Sequence, residues 1–387
     1  MLRPGSWGVE LFPTSPKACR NAGQHQVTIC GAGVPFDVTF VQPEFAHSVH
    51  DNMLHHLAIR TGRRHQHGLS LIELMIAMTL SLMVLGIAAA LFEGTSRGRT
   101  DIERSDRLAA SAQQALDSIA DEIRHAGFFG ELNFTSVTWK LPDPCAVKAS
   151  DLGLSYAPFE LPVAVRGYLA EEDLPDCVEH RREGTAAFTL RRVDVETTAK
   201  VSASGAAFLQ ISKCNQDIPP YWKVATKSND FTLRNIDCST VADIRRVLVR
   251  TYFVATCNEC GRDTIPTLKR VELVDDKIVE TPIAEGIENL QVEYGFDMDG
   301  DGVADRYRAT LSGEAGTADN DWSNVVAARV HVVARLTQAD LNFKPSATKQ
   351  FDFGQAGNVE AGNDAYKRTM LSSLVRIPNI AGKRENP

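Results

Sequence analysis

From Leu69 to Phe92 the sequence runs LSLIELMIAMTLSLMVLGIAAALF, with Glu73 as its one charge. As a helix this segment rises about 36 Å at 1.5 Å per residue, enough to cross a hydrocarbon core of about 30 Å. Arg60, Arg63, Arg64, His65 and His67 lie just upstream, whereas Glu93, Arg97, Arg99, Asp101 and Glu103 mix both signs downstream. The basic flank places the N-terminal side in the cytoplasm and the residues after 92 beyond the inner membrane. A secretory signal peptide has the same order of features. This run is too long for one, and no A-x-A-like site follows within it, Ala88-Ala89-Ala90 being the nearest approach. A plain anchor accounts for the length but not for Glu73, because a lone ionisable group in hydrocarbon costs a few kcal/mol and usually has a partner.

The rest of the chain is not membrane-like. The mean hydropathy of the whole chain, -0.17, excludes several spans. The 41 Lys+Arg against 49 Asp+Glu give a net charge of -8, which argues against a dedicated duplex-DNA binder. With 43% apolar and 23% charged residues, most of the chain should fold.

The junction His67-Gly68-Leu69-Ser70-Leu71-Ile72-Glu73 resembles the class III signal of type IV prepilins: a basic leader, a glycine, then an apolar helix with glutamate at its fifth position. The resemblance implies cleavage after Gly68 by a prepilin peptidase and methylation of the new amine on Leu69. The new cation and Glu73 then lie one turn apart on one helix face. In the family this glutamate meets the amine of a neighbouring subunit and sets the filament's axial stagger. Met53 begins a plausible leader, MLHHLAIRTGRRHQHG, so residues 1–52 are expected to precede the true start. The expected organisation is leader 1–68 (its working part 53–68), transmembrane half-helix 69–92, amphipathic half-helix 93–127 and an exported β-rich domain 128–387.

Ile102, Ala109, Ala112, Leu116, Ile119 and Ile123 continue an apolar stripe, so the helix is expected over about 70–126, with Gly127 and Gly130 as terminators. Gly86, Gly94 and Gly98 weaken its middle. Residues 245–255 and 264–273 read as a hairpin around Cys257-Asn-Glu-Cys260, and further strands are expected near 186–195, 287–296, 325–336 and 366–377. In 325–336, Val330, Val332, Ala334 and Leu336 form a buried face, and Arg329, His331 and Arg335 a wet one.

Cys19 and Cys30 precede the proposed cut, leaving Cys145, Cys177, Cys214, Cys238, Cys257 and Cys260. An even count in an exported domain suggests disulfides, but their connectivity is not derivable. Cys257-x-x-Cys260 is best read as a structural hairpin disulfide. Half a zinc site is disfavoured because no second C-x-x-C or paired histidine follows. A thioredoxin-like redox pair is disfavoured because such a pair opens a helix.

The sharpest chemical motif is Asp297-Met-Asp299-Gly-Asp301-Gly302-Val-Ala-Asp305. Aspartates at positions 1, 3, 5 and 9, glycine at 6 and the Val303 carbonyl at 7 match a calcium loop. Arg308 stands where the bidentate glutamate belongs, so Asp319, Asp321 or water would complete the shell. The competing reading is an acidic, glycine-rich turn. No G-x-S-x-G, H-E-x-x-H or P-loop pattern occurs, and no enzyme is expected. His125, His180 and His331 read as helix-end, surface and sheet-face residues. The pairs Arg181-Arg182, Arg191-Arg192 and Arg245-Arg246 read as solvated faces.

Among pilins the sequence resembles the PilW family of minor pilins, through EIRHAGFFG, RTYFVATCNECGRDTIPTLKRVEL, IENLQVEYGFDMDGDGVADRY and WSNVVAARVHVVAR in addition to the N-terminal segment. The resemblance implies an α+β, type IV pilin-like fold: a long N-terminal helix packed on a mainly antiparallel domain. It also implies a low-abundance subunit that primes pilus assembly, with the tip as one place for it. The implied partners are other minor and major pilins, the prepilin peptidase/methyltransferase and the inner-membrane assembly platform. Twitching motility and adhesion would follow indirectly, and no direct nucleic-acid contact is expected. Location follows as inner membrane with a periplasmic domain, then pilus. The alternatives are a J-type minor pseudopilin of type II secretion and, from another class, a membrane-anchored periplasmic redox or calcium-binding protein.

Overall fold

The computed structural model describes residues 70–385, apart from 133–136, 202–204, 275–276, 312–320, 341–342 and 345–348. The fold described is that of the unit Leu71–Pro387.

Helix α1 spans Leu71–His125 without a break, about 80 Å at the standard rise. Proline is absent from it, so nothing removes an i→i−4 hydrogen bond. It ends as glycine termination predicts: Gly127 (φ +72°) and Gly130 (φ +65°) take left-handed backbone. At Gly127 a Cβ would lie 2.7 Å from Ile380 Cδ1 and 3.0 Å from Ala164 Cβ, so space as well as conformation requires glycine. The Gly127 amide donates to the Arg191 carbonyl at 2.9 Å, and Asn379 Nδ2 donates to the Arg124 and Ala126 carbonyls at 3.2 Å. The helix end is thus sewn to two other elements.

Among the described residues, fifteen strands and a short second helix come after α1. They are β1 Thr138–Lys140, β2 Glu160–Pro162, β3 Val165–Tyr168, β4 Ala187–Val193, β5 Phe208–Ile211, β6 Trp222–Ala225, β7 Ile244–Ala255, β8 Thr267–Val274, β9 Lys277–Glu285, β10 Ile287–Phe296, β11 Arg306–Arg308, β12 Val325–Arg335, β13 Gln350–Asp352, β14 Asn358–Glu360, β15 Arg368–Arg376 and α2 Pro378–Glu385. One sheet has seven strands, with β7 pairing β4, β5 and β8, β3 beside β4, β6 beside β5 and β9 beside β8. A second has the order β11-β10-β12-β15. All pairings within both sheets are antiparallel. The fold is therefore the expected α+β arrangement of a long helix on an antiparallel domain.

The second half of α1 lies over both sheets. Leu108, Ala112, Ala115, Leu116, Ile119, Ala120 and Ile123 share one core with Phe188 and Leu268 of the larger sheet and Val330, Val332 and Val375 of the smaller. Alanine at 112, 115 and 120 lets the backbone approach the strands closely. Two residues of the expected stripe fail: Ile102 and Ala109 are exposed. Ile102 precedes the first turn that reaches the domain, and Leu108 rather than Ala109 faces it.

The first half of α1 packs on nothing. Fourteen large apolar side chains between Leu71 and Phe92 are 52–77% exposed. At about 1.5–3 kcal/mol for a complete burial, of which roughly 60% is outstanding, they hold on the order of 10–25 kcal/mol of unrealised burial. That equals or exceeds the whole stability of an ordinary domain, so this surface is unfavourable in water on its own.

Candidate functional site

The helix is a candidate membrane span by length and composition, and Glu73 lies exposed in its first turn. Gly68 and Leu69 fall outside the described residues. Asp101 and Lys367 form the first ion pair from the helix to the domain, at 3.4 Å, with Asp340 also on Lys367 at 3.2 Å.

A buried charge cluster fixes the far end of α1, and sequence reasoning missed it. Glu122 is buried and receives Arg192 Nε at 3.3 Å and Nη2 at 3.2 Å. Arg250 donates to the same carboxylate and, through Nε, to Glu272 at 2.6 Å. Arg270 completes the chain to Glu272 at 2.7 Å. Burial, reinforced by Glu122, pushes the Tyr252 hydroxyl up to about 12. The expectation that Arg191-Arg192 forms a solvated face is therefore wrong. Strand β4 is buried on both faces, beneath the helix on one and the β1–β2 region on the other. Arg191 is fully buried, with Nη2 donating to the Pro142 carbonyl at 2.7 Å, and burial lowers it to about 10. The only sequence signal was a glutamate near the buried stripe, one position from Ile123.

The acidic loop follows β10. Asp297 is buried; its Oδ1 accepts the Gly300 amide at 2.7 Å and its Oδ2 the Gly302 amide at 3.0 Å. Asp301 accepts the Val303 amide at 2.8 Å and Asp305 the Met298 amide at 2.7 Å. Asp297, Asp299 and Asp301 each bring a ligand oxygen within 4.8 Å of the others. Gly302 (φ +83°) is obligatory here, since a Cβ would meet the Ala381 carbonyl oxygen at 2.5 Å. The sequence did not reveal Arg384 on α2, whose Nη1 donates to Asp297 Oδ2 at 3.1 Å. Burial raises the Asp297 carboxyl, but the two amides and Arg384 outweigh it and hold the group below its ordinary value. Asp321, a candidate extra ligand, instead caps a turn by accepting the Ser323 amide at 2.8 Å. Asp319 lies outside the described residues.

The six cysteines pair as Cys145–Cys177, Cys214–Cys238 and Cys257–Cys260. The first two tie down long irregular connections, while the third closes the turn between β7 and β8. His180 stands beside that turn.

His331 also departs from expectation. Its sheet face is not wet, because Phe351 and Phe353 pack there with Val333. His331 is buried between Glu293 (Nε2 to Oε2, 3.1 Å) and Ser372 (Nδ1 to Oγ, 2.8 Å). Burial pushes the Glu293 carboxyl up, yet the Gln355 amide, His331 and Arg329 together bring it below its ordinary range. The cluster gives a buried carboxylate its hydrogen-bonding and ionic partners.

The family model for type IV pilus-assembly protein W matches residues 251–379. That stretch runs from β7 through the acidic loop and the smaller sheet to the start of α2. The prokaryotic N-terminal methylation motif matches residues 63–89. No curated protein matches the sequence significantly. Among solved structures, a type IV-like pilin from Thermus thermophilus aligns at 11% identity over 71% of this chain and 96% of that chain, with a TM-score of 0.31; nothing further rests on it. The methylation motif thus heads the anchor helix, and the similarity to type IV pilus-assembly protein W covers the C-terminal third of the chain.

Proposed function

We propose that this protein is a minor pilin that enters the inner membrane through α1, is cut after Gly68, is N-methylated on Leu69 and helps to initiate type IV pilus assembly at the tip. The observation that carries the reading is the uncovered half of α1, apolar throughout except for Glu73, on a folded antiparallel domain. Cleavage would place a cation four residues before Glu73. A charged pair in a low-dielectric surrounding attracts far more strongly than in water, and a lone carboxylate there is costly. A neighbouring subunit's amine would satisfy Glu73 and fix the axial register between helices, while the methylated amine would keep its charge. The chain has no proposed catalytic role; its partners would be other pilins, the peptidase/methyltransferase and the assembly platform. The PilW match supports a pilus over a type II secretion pseudopilin.

Intact mass and N-terminal sequencing of protein from membranes test the processing. The expected chain begins at methylated Leu69; one that keeps residues upstream of Leu69 and remains membrane-bound refutes it. In cells, Glu73→Val is expected to leave membrane insertion intact and abolish surface pili, and wild-type piliation would overturn the role given to Glu73.

The acidic loop supports a second, subordinate proposal. A calcium ion would be held by Asp297, Asp299 and Asp301, whose carboxylates already converge, with the Val303 carbonyl and Asp305 as further ligands. Arg384 would share Asp297 with the ion, which makes the site weak.

A further inference from the structure

The sequence argues against zinc at Cys257-x-x-Cys260 because no histidine follows at ligand spacing. The fold supplies one from upstream. We propose that His180, Cys257 and Cys260 form a redox-gated site that is closed as a disulfide and, once reduced, takes a zinc-class divalent cation. This stands independently of the pilin reading.

The three donor atoms already lie within 4.8 Å of one another. Tetrahedral zinc with sulfur at about 2.3 Å and nitrogen at about 2.0 Å needs donors spaced on this scale. His180 is held there by the backbone: its carbonyl accepts the Thr256 amide at 2.8 Å, and the Arg182 amide donates to the Val254 carbonyl at 2.8 Å. His180 also takes left-handed backbone at φ +57°, a strained conformation for a histidine. The ring lies beside the turn between β7 and β8. Two open clefts, of about 740 and 490 Å³, are both lined by His180 and Cys260, so a cation and a fourth ligand such as water have access.

The turn does not depend on its disulfide. The Asp263 carboxylate accepts the amides of Asn258 at 2.8 Å, Glu259 at 2.6 Å and Ile265 at 2.9 Å. These bonds fix the loop on both sides of Cys260 whether or not the sulfurs are joined. The separation of 3 residues, against 32 and 24 for the other pairs, also gives this disulfide the smallest share of chain-entropy stabilisation. Lys269 Nζ lies 3.5 Å from Cys260 Sγ and 2.5 Å from Glu280 Oε1. Its charge is therefore balanced, and it adds no net positive charge beside the cation.

The chemistry balances with an external dithiol as reductant. The dithiol gives two electrons and two protons to the Cys257–Cys260 bond and becomes a disulfide itself. The cation then displaces both thiol protons to solvent and binds two thiolates and the neutral His180 ring.

The test uses the full chain in detergent, treated with limiting dithiol while alkylation mapping follows each cysteine. Cys257 and Cys260 are expected to open first. One equivalent of Co2+ added alone should then give thiolate-to-cobalt charge-transfer absorption, and Zn2+ should displace it and shield both thiols from alkylation. His180→Ala should weaken Co2+ binding at least tenfold. Alkylation shielding in the unaltered chain is the readout that does not depend on a variant folding. Opening of another disulfide first, absence of stoichiometric Co2+ binding with both thiols free, or His180→Ala binding as tightly as wild type would each overturn the proposal.

Discussion

Removing Glu122 tests whether α1 is held to its domain by charge as well as by apolar packing. Its carboxylate is buried and bonded to both Arg192 and Arg250. Glu122→Ala leaves Arg250 and Arg270 on Glu272. Arg192 is left with no carboxylate partner among the described residues and keeps only a 3.3 Å contact to the Val193 carbonyl. Breaking a buried pair at one end typically costs about 3–5 kcal/mol, most of it the uncompensated charge left behind. The Arg192 and Glu122 side chains are each only 10% exposed, so little solvent screening reduces this. For a domain of this size each kcal/mol moves Tm by about 2–4 °C, which gives a fall of roughly 6–20 °C.

The assay is urea denaturation of the full chain in detergent, followed by tryptophan fluorescence, since Trp322 sits in the core that α1 completes. The control is Glu93→Ala, whose exposed pair with Arg97 is worth about 0.3–0.5 kcal/mol at most. Replacing Glu122 and Arg192 together by leucines should restore part of the loss, because no orphaned charge remains at that position. A loss under about 1 kcal/mol for Glu122→Ala would refute the reasoning and leave the apolar stripe as the whole attachment.

Three further outcomes are expected. Calcium should raise the melting temperature of chelator-treated protein, and Asp299→Ala with Asp301→Ala should remove that rise; identical melts with and without calcium would refute the loop as a site. Glu293 is held below its ordinary value of 4.5, so the stability it contributes is present above that pH and is lost as pH falls through the lower folded-state value; Glu293→Gln should flatten the stability profile below about pH 4.5, and an unchanged profile would count against it. At Gly167 a Cβ would lie 2.4 Å from the Tyr294 ring, and Gly167→Ala should destabilise by about 1–3 kcal/mol as an overpacked core does, with a neutral melt as the contrary result.

The legible parts of the sequence were those governed by one dominant periodicity. The helix, β7, β10, β12 and β15 are long enough for alternation or a 3–4 spacing to emerge, and their positions followed. The short strands β5 and β6 are only four residues each, too few to show a period. Strand β9 contains Pro282 and carries a register shift against β8, as an edge strand permits. The wrong readings at Arg191-Arg192 and His331 share a cause: they took a polar residue as a mark of solvent. Arg192 and His331 are polar and buried because a partner distant in sequence, Glu122 or Glu293, faces them. No local pattern records such pairs, and the same holds for His180 beside Cys257 and for Arg384 on Asp297.

Helix α1 therefore answers to two environments along one unbroken hydrogen-bond ladder. Before Phe92 its stability as a surface depends on what surrounds the protein; after Leu108 it depends on the domain. Between them lie Gly94 and Gly98, where an added Cβ would meet nothing within 4 Å, and exposed pairs such as Arg99–Glu103 at 3.0 Å. Glycine is about 1 kcal/mol weaker than alanine in a helix interior, and neither lipid nor core supports this stretch. Bending is least costly there, ahead of the first ion pair to the domain, Asp101–Lys367. If the anchor helix is fixed in a filament, as proposed, it can thus change its angle to the domain without disturbing the Glu122 cluster. That places the rigid joint at the end of the helix where the buried charges are, and the compliant one where the glycines are.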